Sequence, residues 1–296
     1  MPRREGRAAS LPNGGAYVLR PTPPGARARA APNGAEIRAP ASPLPDLSLR
    51  ALQYATSLEL DDPATLASRL YCFNACPASP MARQRWPGVE SVAAFLELER
   101  YDSASHLAVH TSGSWQGWSV RGARRRRSEP RFKLYVSPRA EWVVEVLREV
   151  VPRLAEFRAL ECKVGRDLHG LLRPDKLMVY FRTLAALRSA ARRWERALAG
   201  VPAQGVPFSA DLGAHGLLSW GMDPPDLRRG AARRGPPLSW RTWVTRRLAD
   251  ALVAAKRSPV ARAAPVQFAV DRVGLDGVDT RRWAPSSRLR RTSVFG

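Results

Sequence analysis

Lysine is scarce in this sequence, and its few lysines are the first candidates for chemistry. Lys and Arg together number 48, but only Lys133, Lys163, Lys176 and Lys256 are lysines. Arginine stays protonated in proteins, whereas a buried lysine can lose its proton and act as a base. Lys133, Lys163 and Lys176 lie close together in the chain, so this segment is the first candidate for a reactive site. Chance clustering of surface lysines is the alternative.

Tyrosines accompany these lysines at spacings that suit a strand. Lys133 and Tyr135 are two residues apart, and Lys176 and Tyr180 are four apart, so each pair shares one face of an extended chain. If these strands are neighbours, several cations and two phenols converge on one cleft. Like charges brought together and partly desolvated lower the pKa of a lysine. A base beside cations that hold an anion suits a β-elimination, in which a proton α to a carbonyl is removed and phosphate is expelled.

The hydrophobic pattern around these residues predicts an α+β fold, a mostly antiparallel sheet with helices packed on it. A small helical region precedes the sheet, with one helix beginning at Asp62-Pro63 and another spanning 91–99. The later elements are strands at 115–120, 132–136, 158–164, 176–181, 206–210 and 217–220, and helices at 139–157, from Thr183 to Gly200, and from Ser239. The first two strands are predicted to form a hairpin with Arg124–Arg127 at its tip, and 167–170 is predicted to be a turn.

The composition restricts the class of protein. The 296 residues carry a formal charge of +22, most of it outside the two termini, which suits phosphate, nucleic acid or an acidic peptide as partner. No nucleic-acid recognition motif accompanies the charge, so nucleic acid is the least favoured of these partners. No apolar run is long enough to span a membrane, and no secretory signal is present. We therefore expect a cytoplasmic protein with no membrane partner.

Cysteine and histidine give little sign of a metal or a disulfide framework. The three cysteines are too few for such a framework. Cys72 and Cys76 are four apart, as are His106 and His110, but neither pair has the further ligands that a zinc site needs. The sequence also lacks the common nucleotide-binding and serine-hydrolase motifs. We expect no metal and no cofactor.

A family resemblance appears at the residues around the lysines. The segments FKLYVSP, ECKVGRD and KLMVYF, with the amphipathic helix between the first two, resemble the phosphothreonine lyase fold. They are more closely similar to the lyase domains of class III and IV lanthipeptide synthetases and to the HopA-type effector-like proteins of bacterial peptide-modifying gene clusters. The family pattern is a K-x-H/Y-V-S strand, a helix, an Arg-containing turn and a strand that ends in Tyr. The resemblance covers about residues 131–256.

The resemblance implies roles for individual residues. Lys163 matches the general base that takes the Cα proton of phosphoserine or phosphothreonine. Lys133 matches the strand lysine that polarises the substrate or holds phosphate. Tyr135 falls where the phosphothreonine lyases have a general-acid histidine, and a phenol is a weaker acid than imidazolium at neutral pH.

A second group of residues is assigned to phosphate binding. Arg173 falls near the phosphate-binding arginine of the family, and Tyr180 matches the tyrosine at the strand end. Lys176, at the start of the same strand, completes this group. Trp220 and Asp223 are expected at the rim of the cleft.

Three functions follow from these observations. The first is a lyase that converts phosphorylated Ser or Thr of a precursor peptide to the dehydro residue, with a separate kinase-like protein as a possible partner. The second is a non-catalytic module of the same fold that binds a phosphorylated or acidic peptide, which the tyrosine at position 135 favours. The third is a nucleic-acid-binding protein, which only the charge favours.

The chain is divided accordingly. Residues 1–48, rich in Pro, Ala, Gly and Arg, are predicted to be a disordered tail. Residues 49–285 are predicted to form a single α+β body, followed by a basic tail at 286–296. Within the body, 49–112 is the helical N-terminal part, 113–256 the lyase-like part and 257–285 a C-terminal extension docked on it.

Overall fold

The fold is taken from a computed structural model that describes residues 42–123, 132–224 and 238–294. Ala39–Gly296 forms one compact unit. The predicted N-terminal tail up to residue 41 and the arginine run at 124–127 lie outside the described residues. In the three described stretches, none of the helices combines the length and apolar character needed to cross a membrane.

The α+β class is confirmed, with a helical region before an antiparallel sheet. Several helices begin where the sequence places their caps: the side chains of Asp62, Thr183 and Ser239 each accept a hydrogen bond from a backbone N–H of the first turn. The helices are α1 Leu44–Ser57, α2 Pro63–Cys72, α3 Pro80–Arg85, α4 Val89–Phe95, α5 Val143–Val150, α6 Leu168–Leu172, α7 Leu184–Ala197, α8 Trp240–Lys256, α9 Pro259–Arg262, α10 Pro265–Leu275 and α11 Ser287–Val294.

Seven strands form the main sheet in the order β1-β2-β4-β5-β3-β7-β6, and every pairing among them is antiparallel. Two further strands, β8 and β9, pair with each other near the C-terminus. The strands are β1 Leu107–Ser112, β2 Trp115–Val120, β3 Phe132–Val136, β4 Ala159–Gly165, β5 Leu177–Phe181, β6 Ala210–Asp211, β7 Leu218–Met222, β8 Val278–Asp279 and β9 Ala284–Pro285.

One face of the sheet packs on α5 and α7 through a continuous apolar core. Leu134, Val179 and Cys162 on the central strands are all fully buried there. They face Leu147 of α5 and Trp194 of α7, which belong to the same cluster. Alternate residues along each strand therefore point into this core, and the residues between them point to the opposite face. Those are the residues that the sequence singles out as reactive.

The opposite face is covered at one end by a helical layer that contains α1, α2, α8 and α10 and has its own core. Gly221 of β7 lies directly opposite Lys133 of β3 in the sheet. A Cβ on Gly221 would lie 2.7 Å from Cδ1 of Trp240 in α8, so the glycine lets α8 lie close against the strand. Trp283 packs edge-on against Phe208 in the same layer, with ring centroids 5.0 Å apart.

The predicted hairpin between 115–120 and 132–136 is wrong. β2 pairs with β1 on one side and with β4 on the other, whereas β3 pairs with β5 and β7. The hairpin partner of β2 is β1, a strand that the sequence analysis does not predict. Its pattern is nevertheless that of a strand, since Leu107, Val109 and Thr111 occupy alternate positions.

Several predicted boundaries also change. α1 begins at Leu44, inside the segment predicted to be a disordered tail, because Leu44, Leu47 and Ala51 recur at helical spacing and are buried. At the other end, 287–294 is helical and Leu289 is buried, so the predicted basic tail is not a tail throughout. The turn predicted at 167–170 begins a short helix, α6, which Asp167 caps. The strand predicted at 206–210 shrinks to the two residues of β6.

Lys176, which lies just before β5, joins three loops inside the protein. Its side chain is fully buried, and Nζ donates hydrogen bonds to the carbonyl oxygen of Pro138, at 2.8 Å, and to the side chain of Gln204. The Gln204 amide in turn donates to the carbonyl oxygens of Asn74 and Leu172. Burial lowers the pKa of Lys176 from 10.5 to about 8. This lysine is thus a structural bridge, and it does not reach the other lysines.

The lowered pKa of Lys176 predicts a specific dependence of stability on pH. The unfolded chain binds more protons than the folded one between pH 8 and 10.5, so this group makes stability rise with pH across that window, by about 3 kcal/mol in total. Urea unfolding of the wild type and of Lys176→Met at a series of pH values measures the effect. The difference between them removes the groups that titrate in both, and it should grow with pH from 8 upward. Parallel stability curves would contradict the burial argument.

Candidate functional site

The register of the central strands brings three of the predicted site residues to one face of the sheet. Lys133 of β3 lies directly opposite Tyr180 of β5. On the other side of β5, Tyr180 is paired with Glu161 of β4, and Lys163 is paired with Met178. Side chains on paired or alternate positions leave the sheet on the same side. The structure therefore places Lys163 on the same face as Lys133, as the elimination hypothesis requires.

The ring of Tyr180 is the centre of this group. Lys133 Nζ lies 5.5 Å from the ring centroid, and Lys163 Nζ lies 5.7 Å from it. Ammonium groups at this range are attracted by the electron-rich face of an aromatic ring. Tyr180 is buried, with only 6% of its surface exposed. The ring thus provides a fixed wall against which two ammonium groups are held from neighbouring strands.

Each of the two lysines has a carboxylate partner. Lys133 Nζ is 3.1 Å from Asp223 Oδ1, and both side chains are largely buried. Lys163 Nζ is 2.9 Å from Glu161 Oε1. The sequence argument relied on like charges brought together, but here each ammonium group contacts a carboxylate. Glu161 is therefore the immediate charged neighbour of Lys163.

Glu161 connects Lys163 to a histidine two strands away. His110 Nε2 lies 3.0 Å from Glu161 Oε1, the same oxygen that Lys163 contacts. The histidine belongs to β1, the glutamate belongs to β4, and β2 runs between them. On β2 the position between them is Gly117, whose added Cβ would lie 2.4 Å from His110 Nε2. The imidazole therefore crosses β2 over a residue that has no side chain.

Lys133, Lys163, Glu161 and His110 form a row across the sheet, called here the lysine row. Its side chains become more accessible toward the β1 edge. The side chain of Lys133 is 7% exposed, that of Lys163 is 25% exposed and that of His110 is 35% exposed. A proton that leaves Lys163 thus has a carboxylate, an imidazole and then water within successive hydrogen bonds. The arrangement can move a proton between the centre of the face and solvent.

Arg173 lies beside the lysines, on the same face. Its guanidinium carbon is 5.1 Å from the ring centroid of Trp115, which is two residues before Gly117 on β2. Its Nε donates to Asp175 Oδ1 at 2.9 Å, and its Nη2 donates to the hydroxyl of Tyr71 at 3.2 Å. About a third of the side chain is exposed. Arg173 is therefore positioned rigidly at the surface, next to the lysine row.

The carboxylate that positions Arg173 is the centre of a buried ion cluster. Asp175 also accepts a hydrogen bond from Tyr71 and lies 2.9 Å from Nη1 of Arg241, which is completely buried. Burial alone would raise the pKa of Asp175, but Arg241 and Arg173 together hold it well below its usual value. Burial raises the pKa of Tyr71 to about 12, and Asp175 adds to that rise. The cluster is thus charged throughout the physiological range, with Tyr71 neutral.

Tyr135 is on the face that carries Lys133, but its hydroxyl does not reach a cleft. The residue is 1% exposed, and its hydroxyl oxygen is buried without a hydrogen-bond partner among the described residues. Burial raises its pKa well above the usual value for tyrosine. A phenol in these surroundings gives up its proton less readily than a free one. The general-acid role that the resemblance implies for Tyr135 has no support in this geometry.

The structure thus brings together Lys133, Lys163 and Tyr180, with Arg173 beside them, and leaves Tyr135 beneath the helical layer and Lys176 in a separate junction. Sequence reasoning missed the acidic partners and the histidine. A usable signal was present for Glu161, which is two residues before Lys163 and so shares its face of the strand. Asp223 was expected at the rim of the cleft but not as the partner of Lys133, and no local signal pointed to His110 as a partner of Glu161, because both contacts depend on pairing between distant strands. Within the described ranges, no group of three or more His, Cys, Asp or Glu side chains is placed to hold a metal ion.

Comparison with known proteins gives a likeness of fold alone. No family model matches the chain, and no curated protein matches it significantly. Among solved structures, it is similar to the effector protein from Pseudomonas syringae pv. tomato strain DC3000, with a TM-score of 0.55 and 11% identity over 82% of this chain and 98% of that one. It is also similar to the effector protein from Pseudomonas syringae pv. syringae strain 61, with a TM-score of 0.54 and 14% identity over 83% and 99%.

The chain has the fold of these effector proteins. The likeness spans most of this chain and nearly all of each effector, so it extends well beyond the segment 131–256 on which the sequence resemblance rests. It supports the effector-like side of that resemblance. It does not distinguish a lanthipeptide lyase domain.

The contact between His110 and Gly117 predicts the effect of a small substitution. Gly117→Ala should displace the imidazole from Glu161 and lower stability by about 1–3 kcal/mol, because the added methyl overlaps the ring. Thermal unfolding gives the stability, and the ring nitrogen NMR signals of His110 report the lost hydrogen bond. Gly274→Ala in α10 is the matched control, since nothing lies within 4 Å of its added Cβ. An unchanged His110 signal in Gly117→Ala would show that the ring does not cross there.

Proposed function

We propose that this protein is a lyase that eliminates phosphate from phosphoserine or phosphothreonine in a precursor peptide. The observation that carries the proposal is the pair of lysines on either side of the Tyr180 ring, each within 6 Å of its centroid. One lysine can hold the phosphate while the other faces the adjacent Cα. The family resemblance of the segment around these residues supports this reaction.

In the proposed reaction, Lys163 is the base. Its ammonium first passes a proton toward Glu161 and His110, and the neutral amine then takes the proton from Cα of the phosphorylated residue. The electron pair of that C–H bond forms the Cα=Cβ double bond, and the Cβ–O bond breaks with its electrons leaving on phosphate. Lys133 neutralises the departing phosphate, and Arg173 binds its outer oxygens or the neighbouring peptide. No general acid is assigned, because a neutralised phosphate can leave without one.

A second candidate is a phosphopeptide-binding module without catalysis. It is favoured by the ion pairs that both lysines already form with carboxylates, and by the burial of the Tyr135 hydroxyl. In this case the lysines and Arg173 would bind the phosphate, and the bound peptide would leave unchanged. The two candidates differ in one product, the dehydrated residue.

Replacement of Lys163 separates these functions. Lys163→Arg keeps the positive charge but removes the base, so elimination should fall by at least about 10²-fold while phosphopeptide affinity changes little. Lys133→Arg should be milder, because guanidinium also binds phosphate well. The assay is mass spectrometry of a phosphoserine peptide, in which elimination removes phosphoric acid and hydrolysis removes only the phosphoryl group.

Lys256→Arg is the matched control, since Lys256 pairs with Asp61 on a different surface and should leave elimination unchanged. Full elimination activity in Lys163→Arg would exclude Lys163 as the base. Tight binding of phosphopeptides with no elimination by the wild type would establish the binding module instead.

The buried hydroxyl of Tyr135 predicts that it can be removed without loss. Tyr135→Phe takes away a polar group that has no partner among the described residues, so stability should be unchanged or higher, within about 1 kcal/mol. Elimination should also be unchanged if the hydroxyl does not reach the substrate. Urea unfolding and the same peptide assay test both expectations. A loss of about 10²-fold in rate with intact stability would restore Tyr135 as the general acid.

A further inference from the structure

A cavity lies at the β6 edge of the sheet, beyond β3 and β7 from the lysines. It has a volume of about 660 Å³ and is bounded by the edge strand β6, by α7, by the turn between β8 and β9, and by α11. Trp220 of β7 lines the cavity. It is next to Gly221, the residue that is paired with Lys133. The cavity thus lies at one edge of the sheet, whereas Lys133 and Lys163 are on the central strands β3 and β4, and none of its lining residues belongs to the lysine row.

Four arginines from three elements line the cavity. Arg188 projects from α7, Arg281 and Arg282 lie in the β8–β9 turn, and Arg290 lies on α11. Their guanidinium groups form no ion pair with any carboxylate among the residues that the structure describes. Elsewhere on the surface arginines do find such partners, as Arg247 does at Asp276. The cavity thus collects positive charge that the protein itself leaves unbalanced.

Two carboxylates also line the cavity, but neither one neutralises the arginines. Asp279 accepts a hydrogen bond from the backbone N–H of Arg281. It forms no ion pair with a guanidinium group among the described residues. Asp211 has a buried carboxylate oxygen, Oδ1, that has no hydrogen-bond partner within the described part of the chain. That oxygen is turned away from solvent, so it does not offset the charge of the four guanidinium groups. The lining therefore presents four donors without a carboxylate partner in the described stretches.

We infer that this cavity binds an acidic segment of a peptide. Separated arginines suit carboxylates spaced along a chain, and guanidinium pairs well with carboxylate. Trp220 offers apolar contact to the side chains between the acids. The volume is far larger than one phosphate ion needs. A polyphosphate backbone fits less well, because its closely spaced charges would face Asp211 and Asp279.

This inference goes beyond the proposed lyase function and does not depend on it. A site at the β6 edge of the sheet could retain an acidic segment of a polypeptide whichever chemistry the two lysines perform. It therefore assigns a separate recognition role to the C-terminal part of the chain, which supplies three of the four arginines.

The test is peptide binding to the full-length protein, followed by fluorescence anisotropy. The probe is a labelled synthetic peptide of alternating Glu and Leu, and the same peptide with Gln for Glu is the neutral comparison. Arg281→Glu combined with Arg282→Glu should weaken binding of the acidic peptide by roughly tenfold or more, because attraction becomes repulsion. The neutral peptide should bind weakly to every variant.

The matched control is Arg192→Glu combined with Arg196→Glu. Both residues are exposed on α7, outside the cavity, and the change in net charge is the same. We expect less than about threefold weakening in this control, since only long-range and salt-screened charge is altered. Arg281→Ala combined with Arg282→Ala gives a milder change for the case in which charge reversal lowers the melting temperature.

Three results would overturn the inference. One is equal weakening in the cavity variant and in the α7 control, which would show attraction by overall charge. Another is the absence of acidic-peptide binding to the wild type. The third is competition by a single-stranded oligonucleotide of equal charge that is as effective as the unlabelled peptide, which would identify a general polyanion surface.

Discussion

The join between the helical layer and the sheet depends on one buried carboxylate, that of Asp175. It lies between the arginine of a sheet loop, Arg173, and the arginine of a helix, Arg241, and it also binds the hydroxyl of Tyr71 in α2. Without this carboxylate, the fully buried guanidinium of Arg241 would be left uncompensated, at a cost of several kcal/mol. The position of α8 on the sheet, and hence the depth at which Tyr135 is buried, follows from this contact. The same carboxylate holds Arg173 beside the lysine row.

The electrostatics of the site are those of paired charges. Lys133 and Lys163 each contact a carboxylate, and Arg173 shares Asp175 with a second arginine. A phosphate that enters must compete with carboxylates already present, so its binding depends on how far those partners can be displaced. This differs from the arginine-lined cavity, where the described carboxylates leave the guanidinium groups unpaired. Among the described residues, the arginine-lined cavity and the network of paired charges are therefore in different places.

Much of the fold could be predicted from the sequence because its signals are local. The caps at Asp62, Thr183 and Ser239 and the strand that carries Tyr180 all depend on neighbouring residues, and each was placed correctly. Pairing between strands is not local, so β2 was assigned the wrong partner. The site was predicted to the same extent: residues that share a face of one strand were recognised, as for Lys133. Contacts that depend on strand pairing, such as those of His110 with Glu161 and of Asp223 with Lys133, were not predicted. The burial of Lys176 by three distant loops was not predictable from its sequence neighbours either.

The crossing of His110 over Gly117 has a consequence for the comparison of sequences. The ring occupies the space that a side chain at position 117 would need, so the two positions constrain each other across a pair of strands. In proteins of this fold, a large side chain at the position of His110 and a large side chain at the position of Gly117 should therefore not occur together. A correlated change at these two positions would therefore mark which relatives retain a link between the edge strand and the lysine on β4. Such a mark could be found in sequences that are too divergent to align by overall identity.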